Sequence, residues 1–571
     1  DIFFVISGFL MNQLYPSFEA KGQVITFYKK RVRRLLPALI FILFLSNFFS
    51  IFLLKAFEKS ELLRSTLFSL LFISNFHFWS QEQYFATDSF RPLLNLWSLC
   101  VEVQFYLLYP FLASYLKSNK LKRYSTIFAF LGSFIAYCLV GRVSPQSAFF
   151  LTPFRLWEFG VGIFASSLSR KLNHGNITHR YFKVLLFMIS ILVITVTEYS
   201  NLAFDSSIVL FSVVILAGFW LAFSTQSPQG KISLRLLNKI GDYSYSIYLL
   251  HFPLLILFNY RPFQGNILGL RNIQLGLIYF LALLVLTFFS YRFVERRTIS
   301  NDFQWRIFLY ALLGLYLAIL PLTWSFSRDI SVVGASEVEK KVFFSQYDRS
   351  QFRCGTLYRI SFLRPFLRTP DYCSLRNTHY KNKVLLVGNS HADSIKETFS
   401  DVAITFHFAP FLLQENMNVN SENLTSVERT ISSLEPQIVV FHSRSGTYDL
   451  NALATLFSYI KSLGLNIVVL ESVPEYSVSV PEYLQERDTW ASTLLPRNET
   501  SFSFERSKLR ELTVGFGGRY LESRDIFCST QTDACQIADD KTHNLFYIDS
   551  NHLTLSGSKL LQERIEEIFR N

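Results

Sequence analysis

The chain holds 571 residues, half of them hydrophobic and 17% charged, with a formal net charge of +12. A mean hydropathy of +0.26 is high for a soluble protein, and the length allows two or more domains. The basic excess does not point to nucleic acid: Lys and Arg fall in short clusters between apolar runs, and no nucleic-acid-reading motif accompanies them.

The chain opens mid-pattern at Asp1-Ile2-Phe3-Phe4, without an initiator Met or a visible signal peptide, which reads as a fragment lacking its first segment. Apolar stretches near 1–15, 35–57, 94–116, 124–143, 149–169, 182–198, 207–226, 244–260, 273–293 and 306–326 have about the length needed to cross a hydrocarbon core of roughly 30 Å. The segment 61–79 is also apolar. However, the basic clusters Lys29, Lys30, Arg31, Arg33, Arg34 and Lys117, Lys120, Lys122, Arg123 both mark cytoplasmic loops, and only an even number of crossings can separate them. Spans 35–57 and 94–116 suffice, so 61–79 reads as re-entrant or interfacial. The same parity puts the clusters around Arg170, Lys231 and Arg296 inside, and residues 327–571 outside, in a periplasm or its equivalent.

Residues 1–326 therefore read as a membrane domain, 327–380 as an irregular extension, and 381–571 as a separate domain. In the last, strand-like runs Val384–Val387, Ile438–Phe441 and Ile467–Leu470 alternate with helical stretches, the pattern of a parallel sheet with helices on both faces. Cys100 and Cys138 fall in membrane spans. Cys354, Cys373, Cys528 and Cys535 lie outside, where an even number favours disulfides; spacing favours 354–373 and 528–535 among three pairings. Zinc is the weaker reading because neither pair has finger-like spacing, and no metal site is expected.

The chemistry concentrates in the outer domain. The run Val384–Val387 turns at Gly388-Asn389-Ser390-His391, which exposes a serine at a strand-to-helix turn, and Asp549 and His552 follow three residues apart just before a C-terminal helix. Ser390 suits a nucleophile, His552 its general base and Asp549 the orienter of that base; the N–H of Ser390 is one oxyanion donor, and the region His442–Gly446 is where others are sought. His391 reads as a structural neighbour rather than the base.

Within the membrane domain, polar groups in apolar spans are costly and therefore functional or paired. They include Arg31, Arg33 and Arg34, a cationic seat for phosphates at the cytoplasmic mouth or a topology signal. Others are Glu102, and Arg155 with Glu158, which line an acyl path or form buried ion pairs. His251 suits interhelical hydrogen bonding as well as chemistry.

Five motifs in order carry a resemblance. Phe3-Phe4-Val5-Ile6-Ser7-Gly8-Phe9-Leu10, Arg31-Val32-Arg33-Arg34-Leu35-Leu36-Pro37, Trp97-Ser98-Leu99 with Glu102 and Gln104-Phe105-Tyr106, Arg155-Leu156-Trp157-Glu158, and Ser244-Tyr245 through His251-Phe252-Pro253 resemble the acyltransferase-3 membrane family. With Gly388-Asn389-Ser390-His391 and Asp549 to Thr554, the whole chain resembles its bacterial branch carrying a fused SGNH domain. The resemblance implies a polytopic α-helical membrane bundle of ten spans plus a linking span, followed by an α/β SGNH-hydrolase-like domain. It also implies an Arg and a His on a first span, which here would lie upstream of Asp1. Asn389 stands where the family often has Asp, and Asn95 where it often has His.

The expected function follows from the resemblance. It is a multi-pass bacterial inner-membrane O-acyltransferase that takes an acyl group, acetyl first, from an acyl-CoA (acetyl-CoA) co-substrate with no bound cofactor. The acceptor is a hydroxyl of an extracytoplasmic, lipid-linked glycan such as lipopolysaccharide O-antigen; membrane lipid is the other partner and nucleic acid none. Two rivals are a membrane-anchored carbohydrate esterase and a non-enzymatic lipid or glycan exporter. The absence of an ATP-binding loop and of inverted-repeat signs counts against the exporter.

Overall fold

The computed structural model describes residues 1–18, 22–80, 90–117, 120–171, 206–224, 232–262, 265–270, 272–296, 310, 314, 317, 336–346, 348, 350, 372–414, 419–420, 423–487, 490–497, 499–529 and 533–570. The chain divides into two compact units, one holding Asp1–Arg261 and Gly265–Ser327, the other Pro262–Gln264 and Arg328–Asn571. The spans expected at 182–198 and 306–326 lie outside the described residues, apart from isolated positions of the second.

The first unit is helical. Its described helices are α1 (Ile2–Leu14), α2 (Gln23–Leu53), α3 (Ala56–Leu70), α4 (Ser74–Ser80), α5 (Leu96–Lys117), α6 (Lys120–Val143), α7 (Pro145–Phe150), α8 (Leu156–Lys171), α9 (Ser206–Ser224), α10 (Ile232–Phe258) and α11 (Ile273–Phe289). Among the described residues, four stretches are long and apolar enough to cross a membrane: Gln23–Leu53, Leu96–Leu116, Tyr124–Gly141 and Ile273–Glu295, the last including a π-helical turn at Ser290–Glu295. Pro37, Pro110 and Pro253 sit inside helices, which packed membrane bundles tolerate because neighbours re-satisfy the freed carbonyls.

Two sequence expectations change shape here. The stretch 149–169 is not one helix: it breaks at a 3-10 turn, Thr152–Phe154, around Pro153, between α7 and α8. The apolar segment 61–79 divides into α3 and α4 at Phe72, whose φ of 54° no helix can hold. Helix α2 begins well before the apolar stretch at 35, carrying the Arg31–Arg34 cluster on the same rigid rod as the span. Packing of α1 on α8 depends on small residues: a Cβ at Gly162 would lie 2.0 Å from the Val5 carbonyl oxygen, so only glycine permits this approach.

The second unit opens with α12 (Glu337–Ser345), inside the stretch that reads as irregular from sequence. Then follow β1 (Cys373–Ser374), β2 (Asn382–Gly388), α13 (Ser390–Thr405), β3 (Phe408–Gln414), α14 (Leu424–Leu434), β4 (Ile438–Phe441), α15 (Leu450–Ser462), β5 (Asn466–Leu470), α16 (Val480–Arg487), β6 (Thr493–Leu494), α17 (Glu499–Gly515), β7 (Arg519–Leu521), α18 (Arg524–Phe527), β8 (Cys535–Gln536), α19 (Leu555–Lys559) and α20 (Gln562–Glu567). The main sheet has the order β1-β3-β2-β4-β5-β7. All its pairings are parallel except the β1 edge, which runs antiparallel to β3.

Both faces of this sheet are covered, so its strands read as continuous apolar runs rather than alternating ones. Val384 and Leu386 pack with Ile395 and Phe399 of α13; Leu385 and Val387 pack with Val427 of α14 and Leu453 and Leu456 of α15. Each fully buried Val, Leu or Ile is worth roughly 1.5–3 kcal/mol, so the four apolar residues Val384–Val387 anchor β2 firmly in the core. The chain leaves β2 for β3 on one side and returns to β4 on the other. This reversal opens a crevice at the carboxyl ends of β2 and β4, the position where open α/β sheets bind ligands.

Cys528 and Cys535 form a disulfide, which removes zinc ligation at that pair. Cys373 is disulfide-bonded as well, and its expected partner Cys354 lies outside the described residues. Cys100 is a buried thiol outside any disulfide.

Candidate active site

At the end of β2 the backbone must turn against the end of β4. A Cβ at Gly388 would lie 1.9 Å from the His442 carbonyl oxygen, so glycine is required, and the His442 N–H donates to the Val387 carbonyl at 3.0 Å. The next residue, Asn389, caps α13: its side chain accepts the His391 N–H at 3.0 Å. The amide oxygen thus performs the capping that an aspartate would, and the departure from the family pattern leaves the turn intact. Ser390 is then the first residue of the helix, where the N-terminal dipole favours developing negative charge.

His552 and Asp549 arrive from the loop between β8 and α19. The His552 Nδ1–H donates to Asp549 Oδ2 at 2.7 Å, which leaves Nε2 as the acceptor, and the Ser390 hydroxyl donates to it at 2.7 Å. Asp549 Oδ1 accepts the N–H groups of Asn551 at 2.9 Å and His552 at 2.8 Å, so acid and base are held in one local turn. Desolvation works against the charge on Asp549, yet the His552 ring and these two N–H donors outweigh it and hold the carboxyl well below the usual carboxylate range. The geometry can activate a serine oxygen and stabilise the imidazolium that forms.

Two further histidines surround the centre. His391 is buried, its ring 5.1 Å from that of His552 and 6.3 Å from that of His442. Among the described residues, neither ring nitrogen of His391 has a hydrogen-bond partner, and burial pushes its pKa well below the ordinary value. His442 Nδ1–H donates to the Leu470 carbonyl at 3.1 Å, and burial pushes this histidine down to about 4. Both are neutral near pH 7, so neither opposes a positive charge on His552. At the end of β4, Arg444 pairs with Glu475 at 3.0 Å. Among the described residues, no group of three His, Cys, Asp or Glu side chains is arranged to hold a metal ion.

The membrane-domain candidates form two separate sets. Glu102, buried on α5, accepts hydrogen bonds from Ser7 and Tyr106, and Arg31 and Arg34 lie close enough to act on its charge. The Arg31 guanidinium stacks 5.1 Å from the Tyr106 ring centre and 5.6 Å from that of Phe27. Arg33, two positions from Arg31, projects from a different side of α2. The second set is an ion pair. Arg155 Nη1 meets Glu158 at 2.8 Å and Asp1 at 3.1 Å, Nε–H donates to the Phe149 carbonyl at 2.9 Å, and the rings of Phe149, Tyr137 and Trp97 enclose the guanidinium. His251 Nδ1–H donates into its own helix, to the Tyr248 carbonyl at 2.8 Å.

Sequence reasoning misses several of these partners. Tyr106, four residues from Glu102, was legible as a helical neighbour, but Ser7 lies 95 positions away and nothing in the pattern connects the two. Glu295, in the π-helical turn, accepts the Ser246 hydroxyl at 3.1 Å, and Arg34 acts on its charge as well as on that of Glu102. The interruption of regular helix there leaves no signal in composition.

An acyltransferase domain family matches residues 1–292, and an SGNH domain of the kind fused to such membrane domains matches residues 359–567. The O-acetyltransferase OatA of Staphylococcus aureus strain NCTC 8325 is 27% identical over 371 residues, covering 60% of each chain. The OatA of strain MRSA252 is 27% identical over 331 residues, covering 54% of this chain and 53% of its own. The chain thus matches about 60% or less of the length of these curated relatives. Because the first family match takes in just over half of the residues, the protein belongs to the acyltransferase-3 family, in the branch whose membrane domain is fused to an SGNH domain.

Proposed function

We propose that the protein is a membrane O-acetyltransferase. It takes an acetyl group from acetyl-CoA at the cytoplasmic face and places it on a hydroxyl of an extracytoplasmic, lipid-linked glycan such as lipopolysaccharide O-antigen. The single observation that carries this reading is the hydrogen-bonded Ser390–His552–Asp549 set in a chain whose other half belongs to an acyltransferase family. The relatives named as O-acetyltransferases support the acetyl group. The reading places the membrane domain in a bacterial inner membrane and the SGNH domain in the periplasm.

In this mechanism Arg31, Arg33 and Arg34 bind the donor's phosphates, while Glu102, through Tyr106, holds Arg31 in its aromatic seat. The Arg155–Glu158 pair lines the acyl path. Outside, Ser390 Oγ attacks the acetyl carbonyl as its proton passes to His552 Nε2; the bond from that carbonyl to the sulfur or oxygen that delivered the acetyl breaks, that atom leaves with the proton, and an acetyl-serine ester remains. The acceptor hydroxyl then gives its proton to His552 and attacks the ester, and the departing Ser390 oxygen takes the proton back. Asp549 stays ionised throughout and balances the imidazolium.

The test is a Ser390→Ala chain expressed in cells lacking the wild-type gene. Loss of acetyl esters from surface glycan, at unchanged protein amount, is expected; full acetylation would rule out the relay. The same triad could serve an esterase. Purified protein that releases free acetate from acetylated glycan, and never transfers it, would favour that reading instead.

A further inference from the structure

The segment that leads into the outer domain is built into its catalytic loop. Residues 337–350 belong to neither matched region, since the first ends at 292 and the second begins at 359. Yet α12 buries Val338 and Val342 in the same core cluster as Tyr547 and Leu553, the two residues whose bridge closes the loop around Asp549 and His552. Lys341 Nζ donates to the Thr542 carbonyl at 2.7 Å.

Just past α12 the contacts reach the triad loop itself. Gln346, 6% exposed, donates from Nε2 to the carbonyl of Ile548 at 3.0 Å, and Ile548 immediately precedes Asp549. The backbone carbonyl of Asp348 accepts the Leu555 N–H at 2.8 Å, and its Oδ2 accepts the Ser556 N–H at 3.0 Å, three and four residues beyond His552. Two residues from one short stretch therefore hold both ends of the loop that carries acid and base. The loop between β5 and α16 holds its middle, through the N–H of Tyr476 to Ser550 at 2.9 Å and the N–H of Val480 to Asp549 at 3.2 Å.

The reason this matters is geometric. Ser390 is placed by a buried central strand, whereas His552 is placed by a loop with little regular structure of its own. The hydrogen bond between them is therefore only as well defined as the loop's attachments. A displacement of about 1 Å in a reacting group costs on the order of a hundredfold in rate. We infer that Gln346 and Asp348 are positioning residues of the Ser390–His552–Asp549 centre, so that the chain entering the outer domain is a working part of its active site. This inference rests on Ser390 being the nucleophile.

The test uses the full chain in detergent and a fluorophosphonate probe, on which Ser390 Oγ displaces fluoride while His552 takes the hydroxyl proton. Labelling rates are followed from about pH 5 to 9, with Ser390→Ala as the blank. Gln346→Ala and Asp348→Ala are expected to slow labelling about ten- to a hundredfold and to move the midpoint of the pH profile, with the unfolding temperature little changed. Asp348→Asn keeps both acceptor oxygens and is expected to restore the wild-type rate and midpoint. Wild-type labelling in both alanine variants would overturn the inference. So would a loss that merely tracks unfolded protein at an unmoved midpoint, or a failure of Asp348→Asn to restore. Absence of Ser390-dependent labelling in the wild type would overturn the nucleophile and this inference together. Retained glycan acetylation in Ser390→Ala cells, with labelling behaving as expected, would overturn the relay and leave the positioning role standing.

Discussion

His552 Nε2 lies 2.7 Å from Ser390 Oγ although 162 positions separate the two residues. The contact is made where β2 ends and the loop before α19 passes over it, so neither residue is competent without the fold that joins them. In this chain the triad-bearing SGNH domain is fused to an acyltransferase domain.

Within the triad the three side chains act as a unit, so their losses are expected to be non-additive. Ser390→Ala should abolish probe labelling. Asp549→Asn, which presents His552 with an amide in place of a carboxylate and disturbs its tautomer, should slow labelling by about 10⁴-fold. Labelling rates of the single and double variants check this, and additive losses would show that the residues do not work together.

Gly388→Ala is expected to destabilise the SGNH domain by about 3 kcal/mol or more, because the added methyl meets the His442 carbonyl oxygen at 1.9 Å and buried backbone cannot give way. Denaturant unfolding followed by the fluorescence of the full chain measures it. A change below about 1 kcal/mol would mean that the two strand ends can separate.

Stability of the SGNH domain should fall as pH drops from about 6.5 towards 4. His391 and His442 are neutral when folded because burial lowers their pKa, the latter to about 4, while the unfolded chain protonates them near 6.5. Between those values the unfolded state binds more protons, so stability rises with pH, by about 1.4 kcal/mol per pH unit for each histidine. Asp549, held well below the usual range, adds its own loss only at still lower pH. Unfolding free energies at pH 7.5, 6 and 5 give the slope, and His442→Asn, which keeps a donor for the Leu470 carbonyl, should flatten it.

Arg155→Met should strongly reduce folded protein in the membrane, since it leaves Glu158, fully buried, without its cation; breaking such a pair costs about 3–5 kcal/mol. The double variant Arg155→Met with Glu158→Gln should recover much of that loss. Quantifying detergent-extracted, monodisperse protein for the four chains completes the cycle. Recovery of fold without recovery of glycan acetylation would show that the pair serves the acyl path as well as the packing.

How much of this was legible depends on distance along the chain. Apolar stretches of membrane length, the strand runs of β2, β4 and β5 and the turn at Ser390 are set by neighbouring residues and can be read from local sequence alone. The same holds for Asp549 and His552, which share one local turn and therefore could be paired by spacing. Helix α12 escaped because its nine residues carry no strong local pattern and are held by core contacts made elsewhere. The breaks at Phe72 and Pro153 were hidden inside apolar runs whose composition does not change there. The pairings across long separations come from the fold: Ser390 with His552, Ser7 with Glu102, Arg155 with Asp1, and Gln346 and Asp348 with the two ends of the loop that carries Asp549 and His552. Such contacts depend on sheet order and helix packing. Those are set by burial summed over the whole core, and no local stretch of sequence holds that sum.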